Sequence, residues 1–467
     1  MAVKDDLGLT LSGAEPAALA SYQSALRQLQ CFVGDPAGAV EAVIEAAPGF
    51  VMAHVLKGYL YGLSTEHSAL PTLRACHERA AALPASTRER AHVAALGALA
   101  EGRWHEAGRI LEELTVETPR DVLALQAGHQ IDFFTGQAMR LRDRIGRAMP
   151  AWQEGMPGYH AVLGMHAFGL EESGDYPAAE RAGRRAVGLE PRDGWAQHAV
   201  AHVMEMQGRQ RDGIAWMRAS PESWSTDSFL KIHNWWHLAL FHYELGELDE
   251  ALALFDGPIF GDRSALALNL VDASALLWRL HLAGADVGER WQAVAENWAP
   301  KASAGHYAFN DAHAMMAFVG AGREEAAAEL LSAQEAAMAG PGDNAAFTRD
   351  VGRPVTLAVK AFGEGRYRDA ARLIEPLRDV AHSFGGSHAQ RDVITLTLIE
   401  AALRADEREL AARLSAERQA ARPESPLARL FACRAKAIPA KVTSGFASGI
   451  AQKQRDRAIP RFEGERK

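Results

Sequence analysis

GDYPAAERAGRRAVGLEP, Gly174 to Pro191, decides the fold. A glycine is followed five positions later by Ala179, then by Ala186, with Pro191 closing the segment. This is the second half of a helix–turn–helix repeat: glycine ends one helix in a conformation other residues reach only with a Cβ clash, and alanine lets the paired helix approach. GRWHEAGRIL from Gly102 has the same shape, with Ala107, Leu111 and Pro119 at the consensus offsets of that repeat. The phrase recurs as GRQRDGIAWM, GELDEALALF, GREEAAAELL and GRYRDAARLI, from Gly208, Gly246, Gly322 and Gly365, with weaker copies at Gly136 and Gly284. Successive glycines lie 34, 38, 34, 38, 38, 38 and 43 residues apart, and 34 is the tetratricopeptide length. The fold expected is all-α: a tetratricopeptide-like α-solenoid, a right-handed superhelix of antiparallel helix pairs.

Outward from the repeat, a capped helix is expected from Ser12 and another around Ala37 to Ala47. Ser86 with Glu89 reads as a capping box, and AGPGDNAAFTRD near Gly340 to Asp350 as a long loop between repeats. With no Pro- or Ser-rich linker, residues 1–436 read as one continuous array, and 437–467 as a less regular tail.

The chain has 467 residues, 48% of them hydrophobic and 23% charged, the composition of an ordinary folded protein. Fifty Lys and Arg against 59 Asp and Glu give a net charge of −9. That balance argues for no nucleic-acid partner and no anionic membrane surface. Three cysteines without CxxC spacing suggest neither disulfides nor a thiolate site. With no apolar leader or membrane-length stretch, a cytoplasmic protein is expected. No GxxxxGK[ST], GxGxxG or GxSxG occurs, so common ATPase, Rossmann and serine-hydrolase chemistry is not indicated.

The repeat register places the helix before each glycine on the inner wall. In DGWAQHAVAHVMEM, before Gly208, His198 and His202 lie four apart, and in KIHNWWHLALFHYEL, before Gly246, His233 and His237 do the same beside Asn234. Each pair shares one helix face, so two consecutive inner helices can present imidazoles to one pocket. FNDAH adds Asn310, Asp311 and His313 to a later inner helix, and GGSHAQRDV adds Gln390, Arg391 and Asp392. Imidazoles at this spacing can hold a divalent metal, with His198, His202, His233 and His237 as the ligands, or serve as acid and base, with Asp311 orienting a histidine. They can equally satisfy one another and buried backbone between helices. Neither HAVAH nor HNWWH carries the glutamate of a zincin motif. Trp195, Trp235 and Trp236 read as packing, Ser387 with Gln390 as a capping box, and Arg391 as an inter-repeat ion pair.

Those phrases, with a likeness running from LGLTLSGAEPAALASYQSAL through Pro426, resemble the tetratricopeptide repeat protein 38 family. The resemblance implies one chain of divergent repeats in a soluble intracellular protein. It supports the His, Asn, Asp, Gln and Arg positions named above as characteristic, and it supplies no reaction. The function expected is binding of a small polar ligand, or of a peptide or protein partner, in a histidine-rich concave groove. The alternative is a metal-dependent or histidine acid/base hydrolase or lyase acting on a small polar substrate inside the superhelix.

Overall fold

A computed structural model describes residues 3–438. Among these the chain is all-α, and the only extended pairing is two isolated bridges. The expected turns form: Gly102, Gly136, Gly174, Gly208, Gly246, Gly284, Gly322 and Gly365 all have positive φ, between 66° and 87°. Each joins the helix before it to the helix after it, as Gly174 joins Tyr159–Glu172 to Tyr176–Leu189. Trp104–Glu117 and Tyr176–Leu189 end just before Pro119 and Pro191, and small buried residues such as Ala107, Ala179 and Ala186 sit where helices meet. A proline cannot continue either helix, because its ring clashes with the preceding turn.

The helices that carry the seams and the interior histidines include, in chain order, α1 (Pro16–Cys31), α2 (Val51–Gly62), α3 (Val122–Phe134), α4 (Tyr159–Glu172), α5 (Gly194–Met206), α6 (Lys231–Glu244), α7 (Ala267–Leu282), α8 (Ala308–Ala321) and α9 (His388–Arg404). Several boundaries differ from expectation. α1 begins at Pro16 behind Glu15, and Ser12 caps nothing. Its backbone N–H and hydroxyl instead donate to the Glu89 carboxylate at 2.8 and 2.5 Å. Glu89 still completes the capping box with Ser86, so one buried carboxylate serves two segments. Residues 340–350 are largely helical, with Asp343–Phe347 running into a wide turn at Thr348–Gly352. Of the tail, Ala437 closes the helix Pro426–Ala437, and residues from 439 onward lie outside those described.

The superhelix closes on itself, and its early repeats meet its late ones along several seams. Glu66 accepts from the Ala267 N–H and from Lys301, each at 2.6 Å, while Asn310 donates to the Thr65 carbonyl at 3.1 Å. The Asp343 N–H donates to the Gly102 carbonyl at 2.9 Å, and the Asp343 carboxylate accepts from the His105 N–H at 2.8 Å. Tyr307 donates to the Phe134 carbonyl at 2.9 Å, and the His388 N–H to Glu172 at 2.9 Å. These are peptide and carboxylate groups that burial would leave costly without partners, so the seams are specific. Closure turns the concave face of an open solenoid into an interior.

Candidate functional site

α5 and α6 stand side by side in that interior. Asp193 caps α5 by accepting from the Ala196 N–H at 2.9 Å, and fixes the start of a helix on which His198 and His202 fall one turn apart. α6 presents His233 and His237 in the same way. The four rings converge, with centroids 4.3 Å apart for His198–His202, 4.4 Å for His202–His237, 4.8 Å for His198–His233 and 4.9 Å for His233–His237. One nitrogen from each of the four histidines lies within 4.8 Å of the others, and His198 Nε2 is 3.0 Å from His233 Nε2. Ligand nitrogens about 2.0–2.1 Å from a tetrahedral zinc ion stand about 3.4 Å apart, so the cluster already has nearly the size of a metal's first shell.

Three carboxylates from neighbouring helices back the rings. Asp272 on α7 accepts from His233 Nδ1 at 2.9 and 3.0 Å, and Glu205 on α5 from His237 Nδ1 at 3.2 Å. Glu171 on α4 approaches His202 Nδ1 at 3.5 Å. A carboxylate on Nδ1 fixes the tautomer and leaves the Nε2 lone pair facing the cluster, the usual arrangement behind metal-bound imidazole. His237 Nε2, His198 Nδ1 and both nitrogens of His202 are buried without a hydrogen-bond partner. Burial, then the neighbouring imidazoles, hold the pKa of His198 and of His202 well below that of free histidine, and burial does the same for His237. Lowered basicity favours the neutral rings that bind metal, and with His233 Nδ1 donating to Asp272 the 3.0 Å contact puts a proton on His198 Nε2, which would move to its free Nδ1 when a metal binds. Burial, together with Glu172 and Glu205, pushes the Glu171 carboxyl well above its ordinary range.

A cavity of about 260 Å³ ends on His198, His233 and Asp272, and Gln390 lines it too. Its walls are mostly apolar, including Phe32, Tyr59, Leu63, Phe134 and Trp195, with Ser64, Glu66, Gln126, Gln130 and Asn269 among them. Three further lining residues are exposed hydrophobics, Phe229 at 43%, Leu266 at 60% and Leu268 at 43%. The space beside the histidines is thus bounded chiefly by apolar side chains, with polar groups spaced among them. Trp195 forms part of this wall rather than packing alone, while Trp236 is buried, stacked on His233 at 5.3 Å.

The other sequence-predicted residues lie elsewhere. Asn310 and Asp311 face a second cavity of about 320 Å³ at the seam with Thr65–Ser68. Burial raises the Asp311 pKa to about 7, and its Oδ2 has no partner. Asp311 orients no histidine; Asp272 and Glu205 stand in that role. His313 is also outside the cluster, its Nδ1 donating to the Phe309 carbonyl at 2.8 Å. Asn234 is buried structure, donating to the Gly194 carbonyl at 3.2 Å. Gln390 completes the capping box of α9 with Ser387. Arg391 pairs with Glu172 at 3.5 Å and donates to the Gly386 carbonyl. Asp392 belongs to a buried ion network: burial would raise its pKa, yet Arg418 at 2.8 Å and Arg422 hold it low.

Sequence reading passed over the backing carboxylates. Glu171 and Glu205 each precede a repeat glycine by three residues, Gly174 and Gly208, where a shared offset was visible. Asp272 is the lone acid in the apolar run LVDASALLWRL.

Fold and site together define a tetratricopeptide-like helical-repeat protein with a buried histidine centre. No known family profile matches the chain. Among solved structures it is similar to a human IFIT1 dimer with m7Gppp-AAAA, at 15% identity and a TM-score of 0.39 over 91% of this chain and 96% of that one. It is also similar to a monomeric IFIT1 mutant with Gppp-AAAA, at 15% identity and a TM-score of 0.37 over 89% and 94%. Both hold a capped oligonucleotide, so the expectation of no nucleic-acid partner is withdrawn. A net charge averages over the whole surface, whereas a nucleic acid responds to the local field it meets. No helix among the described residues is long and apolar enough to cross a membrane.

Proposed function

We propose that this protein is a metalloprotein in which His198, His202, His233 and His237 hold one divalent transition-metal ion beside a cavity that receives a small, largely apolar molecule. The observation that carries this reading is the convergence of one nitrogen from each ring within 4.8 Å. An all-imidazole set suits zinc, copper, iron or nickel, and the three nearby carboxylates offset the ion's charge. An ion held there would supply Lewis acidity to a substrate oxygen only by taking it as a fifth ligand, on the side where the cavity meets His198 and His233. The chain's own part is to hold His233 through Asp272, to orient the ligand's apolar body against Phe134 and Trp195, and to exclude water. Catalysis is a second reading, favoured because the cavity ends on two of the four histidines rather than on a sealed shell. The fuller likeness to the tetratricopeptide repeat protein 38 family and a cytoplasmic location belong to this proposal, supported by the long phrases around these same residues.

Elemental analysis of untagged protein tests it, with His233→Ala and His237→Ala alongside. Wild type is expected to carry at least one equivalent of a transition metal, and both variants, folded by circular dichroism, to have lost one. Less than about 0.1 equivalent in wild type, even after incubation with zinc or iron(II), would return the histidines to polar packing.

A further inference from the structure

Glu171 is fully buried on α4, and neither of its carboxylate oxygens has a hydrogen-bond partner. Glu172 follows it, also buried, and together with His202 the two glutamates bring three ligand atoms within 4.8 Å of one another. The groups around them leave Glu171 unmatched. The His388 N–H donates to Glu172 at 2.9 Å, while Arg391 at 3.5 Å and His388 Nε2 at 3.7 Å also face Glu172. Glu171 has only the edge of His202 at 3.5 Å, and both nitrogens of that ring are themselves unpartnered. An ionised carboxylate sealed from water with no donor, as at Glu171, is costly; protonation relieves that cost when the site is empty, and a cation held between Glu171, Glu172 and His202 relieves it when the site is filled.

We infer that Glu171, Glu172 and His202 form a second cation site, which shares His202 with the four-histidine centre so that the interior takes two ions with one imidazole between them. The ring has two free nitrogens: Nδ1 faces Glu171 at 3.5 Å, and on this inference Nε2 serves the other three histidines. When both sites fill, the Glu171 carboxyl and the His202 ring would each release a proton to solvent, and the imidazolate with the two carboxylates would carry three negative charges against the ions. Two oxygens and one nitrogen are a harder donor set than four imidazoles, so manganese(II) is expected to prefer the glutamate site and zinc to fill both. The shared ring rests on the four-histidine reading, while the glutamate site itself goes beyond it and can stand or fall without it.

Chelator-stripped full-length protein dialysed against zinc tests it, with bound metal counted per chain. Wild type is expected to bind two equivalents. Glu171→Gln, which keeps the side chain's shape, is expected to bind one, with affinity for the other weakened at least 100-fold. His233→Ala is expected to lose the other equivalent and keep the glutamate-bound one, and His202→Ala to lose both. Two equivalents in Glu171→Gln, or one in wild type that disappears in His233→Ala, overturns the second site. Two equivalents retained in His202→Ala overturns the shared ring. A full complement in His233→Ala beside a loss in Glu171→Gln leaves this site standing and removes the four-histidine centre instead.

Discussion

Asp311 shows what the interior does to a single residue. It is a carboxyl raised to about 7 by burial, with one oxygen unpartnered, against an ordinary 3.8. A raised carboxyl contributes its stability in full below the unfolded value and loses it as pH climbs through the folded one. Asp311→Asn is therefore expected to match wild type near pH 4 and to pull ahead between pH 4 and 7. Its advantage should level off above pH 7 at a few kcal/mol, read from denaturant midpoints along a pH series. A constant offset at every pH would show that the carboxyl is not the ionising group. At this scale the histidines were legible because an i, i+4 pair on an inner helix is a pattern within one element. The carboxylates behind them were not, because Asp272 and Glu171 come from α7 and α4 and meet the rings only through packing. Asp311 attracted the orienting role by proximity in sequence to His313, and neither residue reaches the cluster.

The repeat glycines are the elements' hinges, and two of them separate conformational strain from collision. At Gly174, with φ 87°, a Cβ would meet nothing within 4 Å. Gly174→Ala then carries only the left-handed penalty of about 1–2 kcal/mol, a fall in Tm of no more than about 4 °C. At Gly136, with φ 68°, a Cβ would lie 1.7 Å from the His382 carbonyl oxygen, so alanine must push the turn off the segment before α9. Gly136→Ala is expected to lower Tm several times as far in the same thermal scan, and equal shifts for the two would contradict the packing at that contact. Helix ends set by local chemistry were readable, as at Ser86 and Ser387, where hydroxyl and N3 side chain exchange bonds. Ser12 misled because its partner, Glu89, is 77 residues away. Residues 340–350 misled because glycine and proline mark a turn without showing that Asp343–Phe347 winds into helix against Gly102.

For the whole molecule, the period fixes that helix pairs stack but not how far the stack bends. Curvature accumulates from small rotations at every pair, and closure depends on contacts such as Asn310 with Thr65, 245 residues apart, which no repeat phrase encodes. The cavity was hidden for the same reason: Phe32, Phe134 and Trp195 come from different repeats and look like core until the ring brings them to one space. Closure has a consequence for integrity. A rod of repeats falls into two pieces at one break, but a ring stays whole. Arg263 lies in an exposed stretch, and the parts of the chain on either side of it are clasped through Glu66 with Lys301, Gly102 with Asp343, Phe134 with Tyr307 and Glu172 with His388. With a specific protease site placed after Arg263, the severed fragments 1–263 and 264–467 are expected to co-elute at the volume of the uncut protein, and their separation on a sizing column would mean the seams do not hold. Halves that stay clasped after cutting are also halves that can be made apart and joined, so the two fragments expressed as separate chains should assemble into the working interior.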